Sequence, residues 1–134
     1  MSMSNKSYAY EMIRSELTWV VGEDYVQTCD SDKLGHSIDY YWVPELWHDR
    51  GEKPTPPDFV VHPSTSKEVS EIMKIANNYG IPVTPWGGGS GSQGGALPMY
   101  GGIVMDMKRM NKVLEIDPVS MTATAEVGIN AQHL

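Results

Sequence analysis

A dense run of glycine follows a short β-like segment and constrains this chain more than any other feature. Six of the 13 glycines in the 134 residues lie between Gly87 and Gly95, directly after Ile81-Pro82-Val83. Glycine has no Cβ and reaches positive φ easily, although it destabilises regular structure by about 0.5–1 kcal/mol relative to alanine. Successive backbone N–H groups in such a loop can point inward and hold an anion such as a pyrophosphate. No charged residue occurs between positions 75 and 105, so amides and hydroxyls would hold it.

The spacing Gly89-x-Gly91-x-x-Gly94 matches the dinucleotide-binding fingerprint of Rossmann folds. That fingerprint needs a helix directly after the loop, so that the helix N-terminus faces the phosphates. The continuation from 95 to 102 contains a proline and three more glycines and is not expected to form a helix. A P-loop is excluded because no Gly-Lys-Ser/Thr occurs. A flexible linker is disfavoured because Pro85 and Trp86 stiffen the start of the loop and apolar strands flank it.

Composition argues against several classes of partner. The net charge of −7 opposes a nucleic-acid surface, because phosphate backbones need clustered cations. Lys108, Arg109 and Lys112 form the one basic cluster, which we interpret as a solvated turn, with a phosphate contact as the alternative. Cys29 is the single cysteine, which favours a reducing compartment and a cytoplasmic location.

No secretory signal or membrane span is predicted. The N-terminus is polar, and the long uncharged stretch is interrupted by prolines and glycines.

No metal site or catalytic centre is predicted. The four histidines, His36, His48, His62 and His133, show no ligand spacing with one another or with the cysteine. The segment from Asp30 begins like a calcium loop but carries Leu34 and Tyr41 where oxygen ligands are needed. Nothing resembles a nucleophile elbow, so the catalytic residues stay unknown.

The first 56 residues predict a helix followed by an aromatic-rich arm. Apolar residues recur at helical spacing up to Gly22, a helix stop: Ile13, Leu17, Val20 and Val21. From Glu23 to Pro57 the pattern fades, while Tyr40, Tyr41, Trp42 and Trp47 accumulate. We interpret this arm as a loop or short helix whose aromatic side chains pack on the core. The alternative is a surface completed by another part of a larger protein.

Residues 57–134 predict a β-α-β unit with further strands. A buried strand over Phe59–His62 is followed by a capping box at Thr65 and Glu68. The following helix ends at Gly80 and is predicted to bury one face: Val69, Ile72, Met73, Ala76 and Tyr79. A parallel strand over Val83-Thr84 then leads into the glycine run.

Three more strands and a helical turn are predicted after the glycine run. The strands cover residues 102–107, 113–117 and 122–127, and the turn begins at Asn130. The chain stops within that turn, so we expect it to be the truncated piece of a longer protein. The predicted fold class is α/β (α+β), an N-terminal helix plus a small mixed sheet built on the β-α-β unit.

The second part of the chain resembles the first subdomain of the PCMH-type FAD-binding domain of vanillyl-alcohol-oxidase-like flavoproteins. It is most similar to FAD-linked oxidases of the glycolate oxidase and D-lactate dehydrogenase group. The segments that carry the resemblance are 57–63, 65–80, 81–91, 94–98, 102–107, 109–111 and 115–118.

The resemblance implies where FAD would lie. The FAD pyrophosphate is expected along Pro85, Trp86, Gly87, Gly88, Gly89, Ser90, Gly91 and Ser92. Backbone amides of the glycines would donate to phosphate oxygens, with help from the serine hydroxyls. Trp86 stands where the family commonly has arginine, and Ser90 replaces a frequent threonine. The loop has no histidine for a covalent flavin link, so non-covalent FAD is expected.

The resemblance also implies a function. The chain would be the N-terminal part of an FAD-dependent oxidoreductase whose small-molecule substrate is a D-2-hydroxy acid of the lactate or glycolate type, or a related alcohol. A second FAD-binding subdomain and a substrate domain would come from outside these residues. The alternative is a stand-alone nucleotide-binding or subunit-interaction module without catalysis. Exposed strand edges and the unfinished helix of such a module would favour self-association or pairing with a second chain.

Overall fold

The computed structural model describes residues 3–52 and 54–133. The helices are α1 (Met3–Val21), α2 (Asp30–Gly35), α3 (Trp42–Asp49) and α4 (Ser66–Tyr79). The strands are β1 (Val26–Gln27), β2 (Phe59–Val61), β3 (Val83–Trp86), β4 (Ile103–Asp106), β5 (Val113–Asp117) and β6 (Thr122–Ala125). Short 3-10 turns cover Glu23–Tyr25 and Ala131–His133. None of the helices in these described ranges is long and apolar enough to cross a membrane.

The main sheet has the strand order β1-β2-β4-β3. Both β2 and β3 run parallel to β4, and β1 pairs antiparallel with β2. The predicted β-α-β unit and the mixed α/β class are confirmed, but β4 lies between the two strands that α4 connects. Every residue of β2 and β4 is buried, as expected for parallel strands covered on both faces.

One face of the sheet is covered by α1 and α4. The buried cluster joins the N-terminal helix to the sheet: Ile13, Leu17, Val21, Val26, Phe59, Val61, Ile72, Ile75, Ala76, Ile103 and Met105. Residues on both sides of position 56 therefore share one core, while the division into 1–56 and 57–134 stays a prediction. The expected burial of Met73 was wrong. That side chain is 48% exposed, and Ile75 is buried instead, in the same cluster as the inner face of α1.

Both ends of α4 follow the sequence signals. The Thr65 hydroxyl accepts a hydrogen bond from the Glu68 N–H at 3.2 Å, and Gly80 ends the helix in the left-handed region at φ 63°. The Glu68 carboxylate differs from a standard capping box, because it accepts the Ser64 N–H at 2.8 Å rather than that of the N-cap residue.

The aromatic-rich arm contains two short helices and β1. The prediction of aromatic side chains packed on the core was wrong for Tyr40 and Trp42, which are 80% and 64% exposed. Tyr41 and Trp47 are partly buried. With two residues, β1 is too short to show the alternation that identifies a strand in a sequence.

The predicted strands β5 and β6 form a separate antiparallel hairpin. Its apolar side chains are largely exposed, with Leu114 at 61% and Ile116 at 64%. The predicted helical turn near the C-terminus is a 3-10 turn over Ala131–His133, and Leu134 lies outside the described residues.

We predict that Leu17→Ala destabilises the protein by about 2–5 kcal/mol, because Leu17 is fully buried between α1 and the sheet. Trp19→Ala on the same helix removes a side chain that is 88% exposed, and should change stability by less than about 0.5 kcal/mol. Urea-induced unfolding measures both variants. Equal effects of the two would show that α1 does not contribute its inner face to the core.

Candidate functional site

The glycine loop, residues 87–95, leaves the carboxyl end of β3 beside the end of β4. Trp86 and Asp106 are register partners at these two strand ends. Residues 87–102, all of them described, form turns and bends and no helix. This confirms the prediction that no helix directly follows the loop. Ligands of open α/β sheets bind beyond the carboxyl ends of the strands, which makes this edge the candidate site.

Trp86 lies beneath the loop and does not line its open side. Its side chain is 5% exposed and packs with Val60 and Val104. Gly89 sits on the indole ring at φ 65°, where a Cβ would come within 2.5 Å of Trp86 Cζ2. The ring thus supports the loop from the protein side, and Gly89 is the residue that allows this close approach.

A groove of about 480 Å³ opens beside the loop. Gly87, Gly88 and Ser90 line one side, and Lys108 with residues 127–131 line the rest. A Cβ on Gly87 would meet nothing within 4 Å, and one on Gly88 would meet just the Ser90 hydroxyl, at 4.0 Å. These glycines leave space that the protein itself does not fill. The other predicted binding residues lie outside the lining: Pro85, Trp86, Gly89, Gly91 and Ser92.

The other side of the groove, residues 127–131, packs against the turn that follows β4. The Gly128 N–H donates to the Met110 carbonyl at 2.8 Å. A Cβ on Gly128 would collide with the Met107 carbonyl and lie 2.9 Å from Lys108 Cα. Glycine is therefore needed for residues 127–131 to reach the groove.

The arm also contacts the loop. The Tyr40 N–H donates to the Gly89 carbonyl at 2.8 Å, and the Tyr41 N–H donates to Asp39 Oδ1 at 3.0 Å. The Tyr41 ring lies against Gly94, where a Cβ would be 3.1 Å from ring carbon Cδ1. The loop is thus fixed by residues that precede the β-α-β unit, a contribution that the sequence analysis missed.

Asp106, which is 1% exposed, is the centre of a charged cluster at the end of β4. Its carboxylate accepts the Lys108 N–H at 2.9 Å, His36 Nε2–H at 3.0 Å and the Lys108 ammonium at 3.1 Å. His62 Nδ1 lies 3.7 Å from the same carboxylate. Burial raises the pKa of Asp106, but hydrogen bonds from His36 and Lys108 outweigh it and lower that pKa to about 2.

The pKa values of the two histidines of the cluster shift in opposite directions. His36 Nδ1 contacts the Asp32 carbonyl at 2.8 Å while Nε2 contacts the Asp106 carboxylate. Both partners are acceptors, so both ring nitrogens must carry protons and His36 is the cation. The hydrogen bond to Asp106 accordingly raises the pKa of His36, against the opposing effect of burial. Burial lowers the pKa of His62.

The predicted basic cluster divides into residues with different roles. The prediction of a solvated turn was wrong for Arg109, whose guanidinium lies 3.4 Å from the Tyr25 ring centroid and donates to the His62 carbonyl. Lys112 is exposed, as predicted. Lys108 faces the groove.

The sequence shows no spacing that relates the histidines to this cluster, because 70 residues separate His36 from Asp106. The one sequence feature that could have indicated this cluster is the acidic residue directly after the apolar run 103–105. Within the described residues, no group of three or more His, Cys, Asp and Glu side chains is arranged to hold a metal ion.

Comparison with known proteins identifies the family of this chain. A family model described as "FAD binding domain" matches residues 57–134. The glycolate oxidase subunit GlcD of Bacillus subtilis (strain 168) is 40% identical over 73 residues, which are 54% of this chain and 16% of that protein. The mitochondrial probable D-lactate dehydrogenase of Danio rerio is 30% identical over 131 residues, 98% of this chain and 24% of that protein.

A solved structure of alkyldihydroxyacetonephosphate synthase superposes with a TM-score of 0.79 at 30% identity, over 90% of this chain and 25% of that one. The chain therefore belongs to the FAD-binding domain family of FAD-linked oxidoreductases, and FAD is its cofactor. It spans a quarter or less of the length of these three proteins.

We predict that His36→Gln destabilises the protein by about 1.5–3 kcal/mol near pH 5, because it removes the charged donor to Asp106. The pKa of folded His36 is raised, so its contribution is complete below the unfolded value of about 6.5 and is lost as the pH rises through the folded pKa. The difference between wild type and variant should therefore shrink in alkaline buffer. Denaturant unfolding over a pH series measures it.

His48→Gln is the matched control, because His48 is exposed on α3. It should have little effect at any pH. A destabilisation by His36→Gln that is the same at every pH would contradict the assignment of His36 as a cation.

Proposed function

We propose that this chain binds the pyrophosphate of FAD in the groove beside the glycine loop. The observation that carries the proposal is the unfilled space above Gly87 and Gly88, at the carboxyl ends of β3 and β4. Residues that line a ligand channel must leave room that the protein does not occupy. These two glycines do so, whereas Gly89 and Gly128 are filled from the protein side.

The groove offers the groups that a diphosphate requires. Backbone N–H groups of the glycine loop and the Ser90 hydroxyl would donate to phosphate oxygens, and Lys108 supplies a positive charge at the rim. Hydrogen bonds to a charged group contribute about 1.5–3 kcal/mol each, so three or four would give roughly 5–10 kcal/mol before ordering costs. Tight retention of FAD therefore needs contacts beyond this groove.

When bound, FAD supplies the redox chemistry by accepting a hydride at the flavin. The residues of this chain would hold and orient the cofactor, and none is assigned a catalytic role. No histidine occurs in the loop, and His36 and His62 are engaged around Asp106. Non-covalent binding is therefore part of the proposal.

We further propose that the whole protein oxidises a small D-2-hydroxy acid. Support comes from the names of the relatives, a glycolate oxidase subunit and a probable D-lactate dehydrogenase. A cytoplasmic location and self-association through exposed strand edges stay predictions. The exposed apolar residues of the β5–β6 hairpin are compatible with coverage by a second copy of this chain or by another part of the whole protein.

We predict that Gly88→Ala weakens FAD binding in the full-length protein without lowering the melting temperature of the apo form. The added methyl would enter the groove and overfill the phosphate position. Overpacking of this kind should weaken the binding free energy by about 1–3 kcal/mol, and each 1.4 kcal/mol raises the Kd roughly tenfold. Flavin fluorescence during reconstitution gives the Kd.

Gly95→Ala is the matched control. A Cβ at Gly95 also meets nothing within 4 Å, but this residue lies outside the groove lining. Equal FAD affinity of the wild type and the Gly88→Ala protein would refute pyrophosphate binding at this position.

We predict that anaerobic addition of D-lactate or glycolate bleaches the flavin absorbance of the full-length protein, whereas L-lactate does not. Stopped-flow absorbance measures the rate of bleaching. Bleaching by no 2-hydroxy acid, with the flavin still reducible by dithionite, would contradict the proposed substrate class and leave the FAD site unaffected.

A further inference from the structure

Lys108 is placed where a cation could meet an anion in the groove. It lies two residues beyond the end of β4, and it is the one Lys or Arg among the described residues that line the groove with Gly87, Gly88 and Ser90. Its side chain is 57% exposed. An ammonium group has three N–H donors, so the contact with Asp106 leaves donors free to turn toward the groove.

Asp106 does not depend on the Lys108 ammonium for its hydrogen bonds. The carboxylate also accepts the backbone N–H of Lys108 at 2.9 Å and the His36 ring at 3.0 Å. Protonated His36 already balances the charge of the carboxylate. The Lys108 side chain is itself 57% exposed, so an anion in the groove can share its ammonium without breaking the contact with Asp106.

The neighbouring cations are not available for this role. The Arg109 guanidinium is held between the Tyr25 ring and the His62 carbonyl, and Arg109 is not among the described residues that line the groove. Lys112 lies outside the groove lining, at the start of the β5–β6 hairpin, where its N–H donates to Glu126.

We propose that Lys108 is the cationic contact for the diphosphate of the dinucleotide, with its ammonium shared between Asp106 and a phosphate oxygen. This inference rests on the proposed function, because it requires the pyrophosphate to lie beside Gly87 and Gly88. The backbone amides would shape the site, and Lys108 would supply the positive charge among the described residues that line it. Asp106 and His36 act as positioning residues, since they fix the turn from which Lys108 extends.

The test compares Lys108→Met and Lys108→Arg with the control Lys112→Met, all in the full-length protein. Lys108→Met should weaken FAD binding about tenfold and reduce the rise of the FAD Kd with salt concentration, because one screened charge contact is lost. Lys108→Arg should retain most of the affinity, and Lys112→Met should resemble the wild type.

Phosphorus NMR of bound FAD separates a direct contact from a structural effect. Lys108→Met should shift the pyrophosphate resonances, while the melting temperature of the apo protein changes little. A loss of affinity with unchanged phosphorus resonances and an unchanged salt dependence would overturn the inference.

Comparison with Gly88→Ala separates the proposal that the groove binds the pyrophosphate from the inference that Lys108 contacts it. If Gly88→Ala weakens FAD binding and Lys108→Met does not, the groove binds the pyrophosphate and the inference about Lys108 is wrong. If neither variant alters FAD binding, the proposed position of the pyrophosphate is wrong, and the inference falls with it.

Discussion

The buried carboxylate of Asp106 holds together segments that are distant in the sequence. It ends the central strand β4, accepts hydrogen bonds from His36 in the arm and from Lys108 in the following turn, and lies near His62 after β2. A buried carboxylate is costly unless such partners surround it. The need to satisfy this one group therefore fixes the arm and the turn at the strand ends where the glycine loop begins.

The glycines of the site fall into two physical kinds. Gly89 rests on the Trp86 ring and Gly128 on the Met107 carbonyl, so in both cases the missing Cβ is replaced by the protein itself. Gly87 and Gly88 instead face open space at the groove. Glycines of the first kind allow the two sides of the groove to pack against the rest of the protein, and glycines of the second kind leave space between those sides. A sequence shows both kinds as the same letter, and coordinates are needed to tell them apart.

Local signals were predictable, and long-range pairings were not. The Thr65 N-cap, the Gly80 stop and the strand before the glycine run depend on neighbouring residues, and the sequence analysis identified each of them. The insertion of β4 between β2 and β3 depends on contacts across more than 40 residues. The hydrogen bond between His36 and Asp106 likewise has no signal in the sequence around either residue. Tyr40 and Trp42 were misjudged because aromatic character indicates a contact surface without saying whether this chain or another one covers it.

The acidic net charge of −7 does not prevent the groove from receiving an anion. Charges in solution are screened over about 8 Å at physiological ionic strength, so groups near the groove decide its potential. The chain has no charged residue from 75 to 105, and Asp106, the first acid beyond, is matched by His36 and Lys108. The Asp39 carboxylate also lies near the glycine loop, with Oδ2 4.0 Å from the position that a Cβ on Gly91 would take, so the charges around the loop have both signs. The attraction of an incoming diphosphate would therefore come from the groups that line the groove, namely the backbone N–H groups of the glycine loop and the Lys108 ammonium, rather than from the overall charge of the chain.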